Sequence, residues 1–175
     1  AVSASVQSKL EQALTTKHHV EFEEFFVSIG KWLEMRVHPF EEGFAVYFRD
    51  ISARKVAEEK IHHLAFYDIL TELPNRQLLL ERLERAVNDM QIAQQFGALM
   101  FIDLDNFKTL NDTFGHLKGD VLLQQVAERL TACVRQEDTV ARLGVDEFVV
   151  LIQGLGLQSQ VALSKAQVIA SKVLS

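Results

Sequence analysis

Two acidic groupings carry the chemistry this chain could do: Asp103-Leu104-Asp105 and Asp146-Glu147. The apolar run Leu99-Met100-Phe101-Ile102 leads into the first, and Phe148-Val149-Val150-Leu151-Ile152 leaves the second. Short apolar runs bounded by turn signals read as buried strands, so Asp103 is expected at a strand's carboxyl end. Thr139–Leu143 and Phe148–Ile152 flank Gly144-Val145 and are expected to pair as a hairpin. If the two strands are neighbours, Asp103 and Asp146 meet at one edge of a sheet. With the Leu104 carbonyl they form a hard oxygen donor set suited to Mg²⁺, which keeps its remaining positions for water and phosphate. The chemistry implied is metal-dependent work on a nucleotide.

Composition narrows the partners. The 175 residues carry a net charge of −6, which argues against nucleic acid or an anionic membrane as a standing partner. No apolar run approaches the roughly 18 residues of a spanning helix, and no signal peptide opens the chain. A cytoplasmic, soluble module is expected, any membrane tether of the parent lying outside this segment. The single cysteine, Cys133, has no internal partner and is expected to act as a small buried hydrophobe on a helix. Both ends are expected to be internal to a longer chain, since Ala1 is not an initiator methionine and Ser175 falls inside a helical pattern.

The elements that would position these groups begin with a weak helical pattern over Val2–Leu14. Three partly alternating runs follow, Val20–Val27, Trp32–Val37 and Phe44–Asp50, joined by short turns at Ser28–Lys31 and Pro39–Gly43. They predict a three-stranded antiparallel meander with one apolar face. Glu21-Phe22-Glu23-Glu24, Trp32-Leu33-Glu34-Met35-Arg36-Val37 and Ala45-Val46-Tyr47-Phe48-Arg49-Asp50-Ile51-Ser52 resemble the C-terminal half of a PAS sensor domain. Ser52 replaces the usual threonine, and its hydroxyl is expected to cap the next helix. Trp32 and the phenylalanines read as core, and His18-His19 and His62-His63 as solvated pairs, so no PAS cofactor is assigned. Ala53–Tyr67 predicts an exposed helix whose Ala57, Ile61 and Leu64 form a short seam. That seam suits either packing on its own domain or a two-stranded connector.

Further on, Tyr67–Arg76 is a turn segment opening a helix over Asn75–Gln95, with Pro74 suited to the first helical position and Leu79, Leu83 and Val87 on the apolar face. Asp68-x-Leu70-Thr71-x-Leu73-Pro74-Asn75-Arg76, Asp103-Leu104-Asp105-x-Phe107-Lys108-x-x-Asn111-Asp112, Gly115-His116-x-x-Gly119-Asp120 and Arg142-Leu143-Gly144-Val145-Asp146-Glu147-Phe148 follow one another in order. Together they resemble the GGDEF family of diguanylate cyclases. Gly154-Leu155-Gly156 reads as a turn, and there is no Walker A loop.

The resemblance implies condensation of two GTP molecules into cyclic di-GMP with release of pyrophosphate. It implies that Asp103, the Leu104 carbonyl and Asp146 hold Mg²⁺, or Mn²⁺, on the triphosphate, and that Glu147 assists deprotonation or a second metal. Lys108 would offset phosphate charge, Asn111 and Asp120 would read guanine, and His116 and Gly144 would lie against the same nucleotide. Arg135-Gln136-Glu137-Asp138 stands at the family's inhibitory Arg-x-x-Asp position, so cyclic di-GMP would be inhibitor as well as product. Activity would need a homodimer, because each domain holds one GTP.

The fold expected is α+β: a PAS-like antiparallel meander over residues 1–50, a connecting helix over 51–67, and a cyclase-like domain over 68–175 whose mainly antiparallel sheet is flanked by helices. Gln158–Ser175 predicts its last helix, with Val161, Ala162, Ala166, Ile169 and Val173 on or near one face. The family's later elements would lie beyond Ser175, so the segment alone is expected to be catalytically incompetent.

Two positions depart from the family pattern. Val145 replaces the second glycine, which excludes a type I′ turn and leaves a type II′ turn centred on Gly144-Val145. Glu72 stands where the family often has glycine or a small or polar residue. Leu122-Leu123-Gln124-Gln125-Val126-Ala127 and Arg142-Leu143 resemble the tandem cyclase–phosphodiesterase branch, although no phosphodiesterase residues are present. A second reading is therefore a degenerate domain that binds GTP or cyclic di-GMP and regulates an attached EAL-type phosphodiesterase.

Overall fold

The computed structural model describes residues 4–174. Helix and antiparallel sheet are mixed, and the chain divides into two compact units, residues 1–62 and 63–175, each built on a three-stranded antiparallel sheet.

The first unit contains α1 (Ala4–Thr16), β1 (Val20–Phe26), β2 (Lys31–Phe40), β3 (Gly43–Asp50) and most of α2 (Ser52–Phe66). Val2 and Ser3 of the expected first helix lie outside the described residues. Alternation sets the meander: Val20 opposes Val37, which opposes Val46, and Phe22 opposes Met35, which opposes Phe48. Val6 and Ala13 of α1 are buried with Met35 and Val37. The β2–β3 connection is tighter than the expected Pro39–Gly43 turn, because Phe40 already pairs with Gly43 and only Glu41-Glu42 turn. Pro39 is tolerated within β2 because it lies beyond Val20↔Val37, where the β1 ladder has ended.

Ser52 does not cap α2. Its hydroxyl accepts the Trp32 N–H at 3.0 Å, while the Asp50 carboxylate accepts the Ser52 N–H at 3.0 Å. The carboxylate is the stronger acceptor for the helix's first donors.

The second unit contains α3 (Arg76–Ala93), β4 (Phe96–Asp103), α4 (Phe107–Phe114), α5 (His116–Cys133), β5 (Thr139–Arg142), β6 (Glu147–Gly156) and α6 (Ser159–Leu174). The sheet order is β4-β6-β5. As the middle strand, β6 is covered on both faces, which is why Phe148–Ile152 is apolar without alternation and wholly buried. On one face Phe148, Val150 and Ile152 meet Leu123, Ala127 and Leu130 of α5 and Ala162 of α6. On the other, Val149 and Leu151 meet Leu79 and Ala86 of α3.

Several details differ from the sequence reading. Pro74 precedes the cap of α3: Asn75 is the cap, its Oδ1 accepting the N–H groups of Gln77 and Leu78 at 2.9 and 3.1 Å. Val87 and Val161 are exposed, and Ala86 and Met90 complete the α3 face instead of Val87. The Gly154-Leu155-Gly156 segment is not a turn but the irregular end of β6. A register shift opposite Phe96 and Ala98 is taken up by positive φ at Gly154 (61°) and Gly156 (118°), while Leu155 is buried. Cys133 is only partly buried, its Sγ 3.7 Å from the Lys172 carbonyl oxygen. No helix among the described residues is long and apolar enough to cross a membrane.

Candidate functional site

The antiparallel pairing of β4 with β6 brings the two acidic groupings to one end of the sheet. Asp103 lies directly opposite Glu147, and Asp146 is the residue before it. Directly opposed residues in an antiparallel pair share a face, with Cβ atoms roughly 5 Å apart, and like charges there repel. Among the described residues, no cation or side-chain donor compensates Asp103, Asp146 or Glu147 (the ion pairs lie elsewhere). Asp103 and Glu147 line a cleft of about 270 Å³ with Phe101 and Leu143.

The Leu104 carbonyl accepts one long bond, from Phe107 N–H at 3.3 Å, and retains lone-pair capacity. Uncompensated carboxylates beside an underused carbonyl are oxygen donors of the kind Mg²⁺ takes, so the donor chemistry fits. Among the described residues, no group of three or more His, Cys, Asp or Glu side chains forms a closed metal cage.

The turn between β5 and β6 is wider than a type II′ turn. Arg142 pairs with Phe148, and Leu143 N–H donates to the Glu147 carbonyl at 2.9 Å, leaving Gly144-Val145-Asp146 as a three-residue loop. None of the three has positive φ, so valine meets no backbone penalty here. Val145 is 67% exposed. Glu147 folds back over Gly144: a Cβ built there would lie 3.0 Å from Glu147 Oε2.

The opposite helices supply the remaining residues. Phe107 is buried in the core beneath α4, while Lys108 is exposed on its first turn. Asn111, on α4, is pressed onto α5 at Gly119, where a Cβ would stand 2.0 Å from Asn111 Oδ1. Only glycine allows this approach. Asn111 Oδ1 is buried and has no hydrogen-bond partner, a cost native structures rarely leave unmet. Asp120 follows Gly119 and is half-buried, and His116 is exposed at the start of α5. The helices thus bring Asn111 beside the Gly119-Asp120 backbone, with His116 one turn away.

Arg135 and Asp138 serve different ends. Asp138 is 8% exposed, and its oxygens accept Arg135 N–H at 3.0 Å and Gln153 N–H at 3.1 Å, closing the α5–β5 turn. The Arg135 guanidinium extends to solvent, 3.6 Å from Glu137.

Arg142 is the residue whose role spacing did not reveal. Its side chain is 9% exposed, with Nη1 on Asp68 Oδ1 at 2.9 Å and Nη2 on the Val145 carbonyl at 2.7 Å. Its own N–H donates to the Pro74 carbonyl at 3.0 Å. Arg142 therefore ties the acidic loop to the Asp68–Pro74 segment. Burial raises the Asp68 carboxyl, but the Thr71 hydroxyl and N–H and the Arg142 guanidinium outweigh it and hold the group below the usual carboxylate range. The sequence signal was present: Asp68 and Arg142 each stand in a quoted motif.

Residues 65–174 match the model of the family described as diguanylate cyclase, GGDEF domain. The chain is 52% identical over 97 residues to the bifunctional diguanylate cyclase/cyclic di-GMP phosphodiesterase MucR of Pseudomonas aeruginosa, covering 55% of this chain and 14% of that protein. It is 46% identical over 93 residues to the diguanylate cyclase TpbB of the same species, covering 53% and 21%. Among solved structures, the GGDEF domain of P. aeruginosa PA1120 superposes with a TM-score of 0.57 at 42% identity, covering 62% of this chain and 60% of that one. The coiled coil and GGDEF domain of DgcB from Caulobacter crescentus, in complex with c-di-GMP, superposes with a TM-score of 0.58 at 26% identity, covering 68% and 61%. The matched region thus spans about a fifth or less of each of these two curated relatives. The chain belongs to the GGDEF diguanylate cyclase domain family.

Proposed function

We propose that this segment is the nucleotide-binding part of a sensor-coupled diguanylate cyclase that joins two GTP molecules into cyclic di-GMP. The observation that carries the reading is the uncompensated Asp103–Glu147 opposition with Asp146 in the adjoining loop. Asp103, the Leu104 carbonyl and Asp146 would hold Mg²⁺. When bound, the ion neutralises the α-phosphate and makes the attacking 3′-hydroxyl of the second GTP more acidic. Glu147 would take that proton, and Lys108 would meet negative charge developing on phosphate.

Asn111 and Asp120 would read the guanine edge, Asn111 being held against Gly119 next to Asp120. His116 and Gly144 would border the nucleotide. Product inhibition would act through Arg135, presented by the turn that Asp138 closes. A homodimer would bring two such sites together, with α2 as connector: none of its residues is buried, and Ile61 and Leu64 are 67% and 50% exposed. The meander would be the remainder of a PAS-like sensor.

The test is incubation of this segment, completed with the later elements of a GGDEF relative, with Mg-GTP and chromatographic detection of cyclic di-GMP, beside Asp103→Asn in the same background. Product from the unaltered chain and none from the variant is the expected result. The second reading, a regulator of an attached EAL-type phosphodiesterase, is favoured by Val145 at the family's glycine. Nucleotide binding without product, both here and in Val145→Gly, would select it.

A further inference from the structure

Glu23 of β1, remote in sequence from every residue of the candidate site, divides its carboxylate between two consecutive cations of α2. Its Oε1 accepts from Arg54 Nη2 at 2.5 Å, and its Oε2 lies 2.6 Å from Lys55 Nζ. The same Lys55 ammonium stands 5.2 Å from the centroid of the Trp32 ring, which also meets Phe25 at 5.7 Å. Beside this fork, Asp50 holds Lys31 Nζ at 2.6 Å and the Ser52 N–H at 3.0 Å, and the Ser52 hydroxyl accepts the Trp32 N–H. The first turn of α2 is thus tied by charge and hydrogen bonds to all three strands of the meander. Apolar packing contributes through Ile51, the buried residue just before α2, but no residue of the helix itself is buried.

We propose that Glu23 is a positioning residue: a two-armed ionic latch that fixes how α2 leaves the meander and that rising ionic strength releases. The Arg54 and Lys55 hydrogen bonds hold the Glu23 carboxyl below its usual range, so both arms are charged at neutral pH. The side chains of Glu23, Arg54 and Lys55 are 33%, 46% and 26% exposed. Ion pairs this accessible are individually weak, and rising salt weakens them further. Two of them bias a helix's direction without locking it, as a reversible device requires. Val56 and Ile61, 63% and 67% exposed, turn with the helix, so the latch selects the face that α2 presents. This holds whether or not the domain turns over GTP.

Trp32 is the only tryptophan, so its emission reports on the latch directly. In the full chain, salt titration is expected to shift Trp32 emission and to speed amide exchange at Lys55 and Val56. Glu23→Gln should begin at the high-salt emission, respond little to salt, and exchange those amides roughly two- to tenfold faster. Glu21→Gln is the control: Glu21, on the same strand as Glu23, pairs with Arg36 of β2 at 3.1 Å and has no bond to α2. It should keep the full salt response. Lys55→Met removes one arm and should give a partial loss of amide protection, which carries the test if Glu23→Gln fails to fold. Wild-type emission, exchange and salt response in Glu23→Gln, or an equal loss in Glu21→Gln, would overturn the proposal. So would unchanged protection in Lys55→Met.

Discussion

Asp103 and Glu147 face each other across β4 and β6 at a position where opposite charges would stabilise and like charges do not. Neutralising one should relieve strain on the apo fold. Asp103→Asn is expected to raise stability by about 0.5 kcal/mol without divalent ion, seen as a higher melting temperature, while abolishing stabilisation by added Mg²⁺. An unchanged Mg²⁺ response in this variant would remove Asp103 from the metal set. Arg142 presents the opposite case, a buried cation paired with a half-buried acid, its Nε left without a hydrogen-bond partner. Breaking a fully buried pair costs roughly 3–5 kcal/mol; Asp68 is 26% exposed, so Arg142→Met is expected to cost about 2 kcal/mol. The pH dependence has a definite sign. Folding lowers the Asp68 carboxyl below its ordinary 3.8, so the folded state binds that proton less readily than the unfolded chain. Its contribution is complete above about pH 5 and fades as pH falls through the ordinary value toward the lowered one. Acid denaturation curves should lose part of this slope in Arg142→Met.

At the scale of elements, the strands were legible because their apolar runs end abruptly in charge: β4 ends at the expected Asp103, while β6 begins at Glu147, one residue before the expected Phe148. The meander was legible from alternation and short turns. The acidic loop was not, because glycine at 144 suggested a left-handed turn position, whereas the closing hydrogen bond forms between Leu143 and Glu147 and needs none. Nor could spacing show that Asp138 spends both oxygens on backbone N–H groups, since those donors come from Arg135 and the distant Gln153. Glu72 is the converse. Its φ of 57° lies in the region that favours glycine, so the family's frequent small residue there has a backbone cause. Glu72→Gly is expected to stabilise by up to about 1 kcal/mol, the relieved strain being partly offset by a freer unfolded chain. A denaturant titration measures it. Gly119→Ala should do the reverse, driving Asn111 from its seat and weakening guanine-nucleotide binding more than it perturbs the melt.

For the whole molecule, the proposed bond formation between two bound nucleotides would make the rate a property of paired chains. In the segment completed with a relative's later elements, specific activity is expected to rise with protein concentration, and Ile61→Glu, which charges an exposed position of α2, should suppress that rise while leaving single-site GTP affinity unchanged. Activity independent of concentration in both forms would argue against α2 as connector. The strand order β4-β6-β5 has one more consequence. Among the described residues β4 is an outermost strand, carries no proline, lysine or other charge before Asp103, and leaves Leu99 and Phe101 38% and 73% exposed. Such a margin invites a neighbouring chain to add its own backbone. Concentrated stocks of this segment should therefore scatter light on standing, and a single Phe101→Lys substitution should keep them clear.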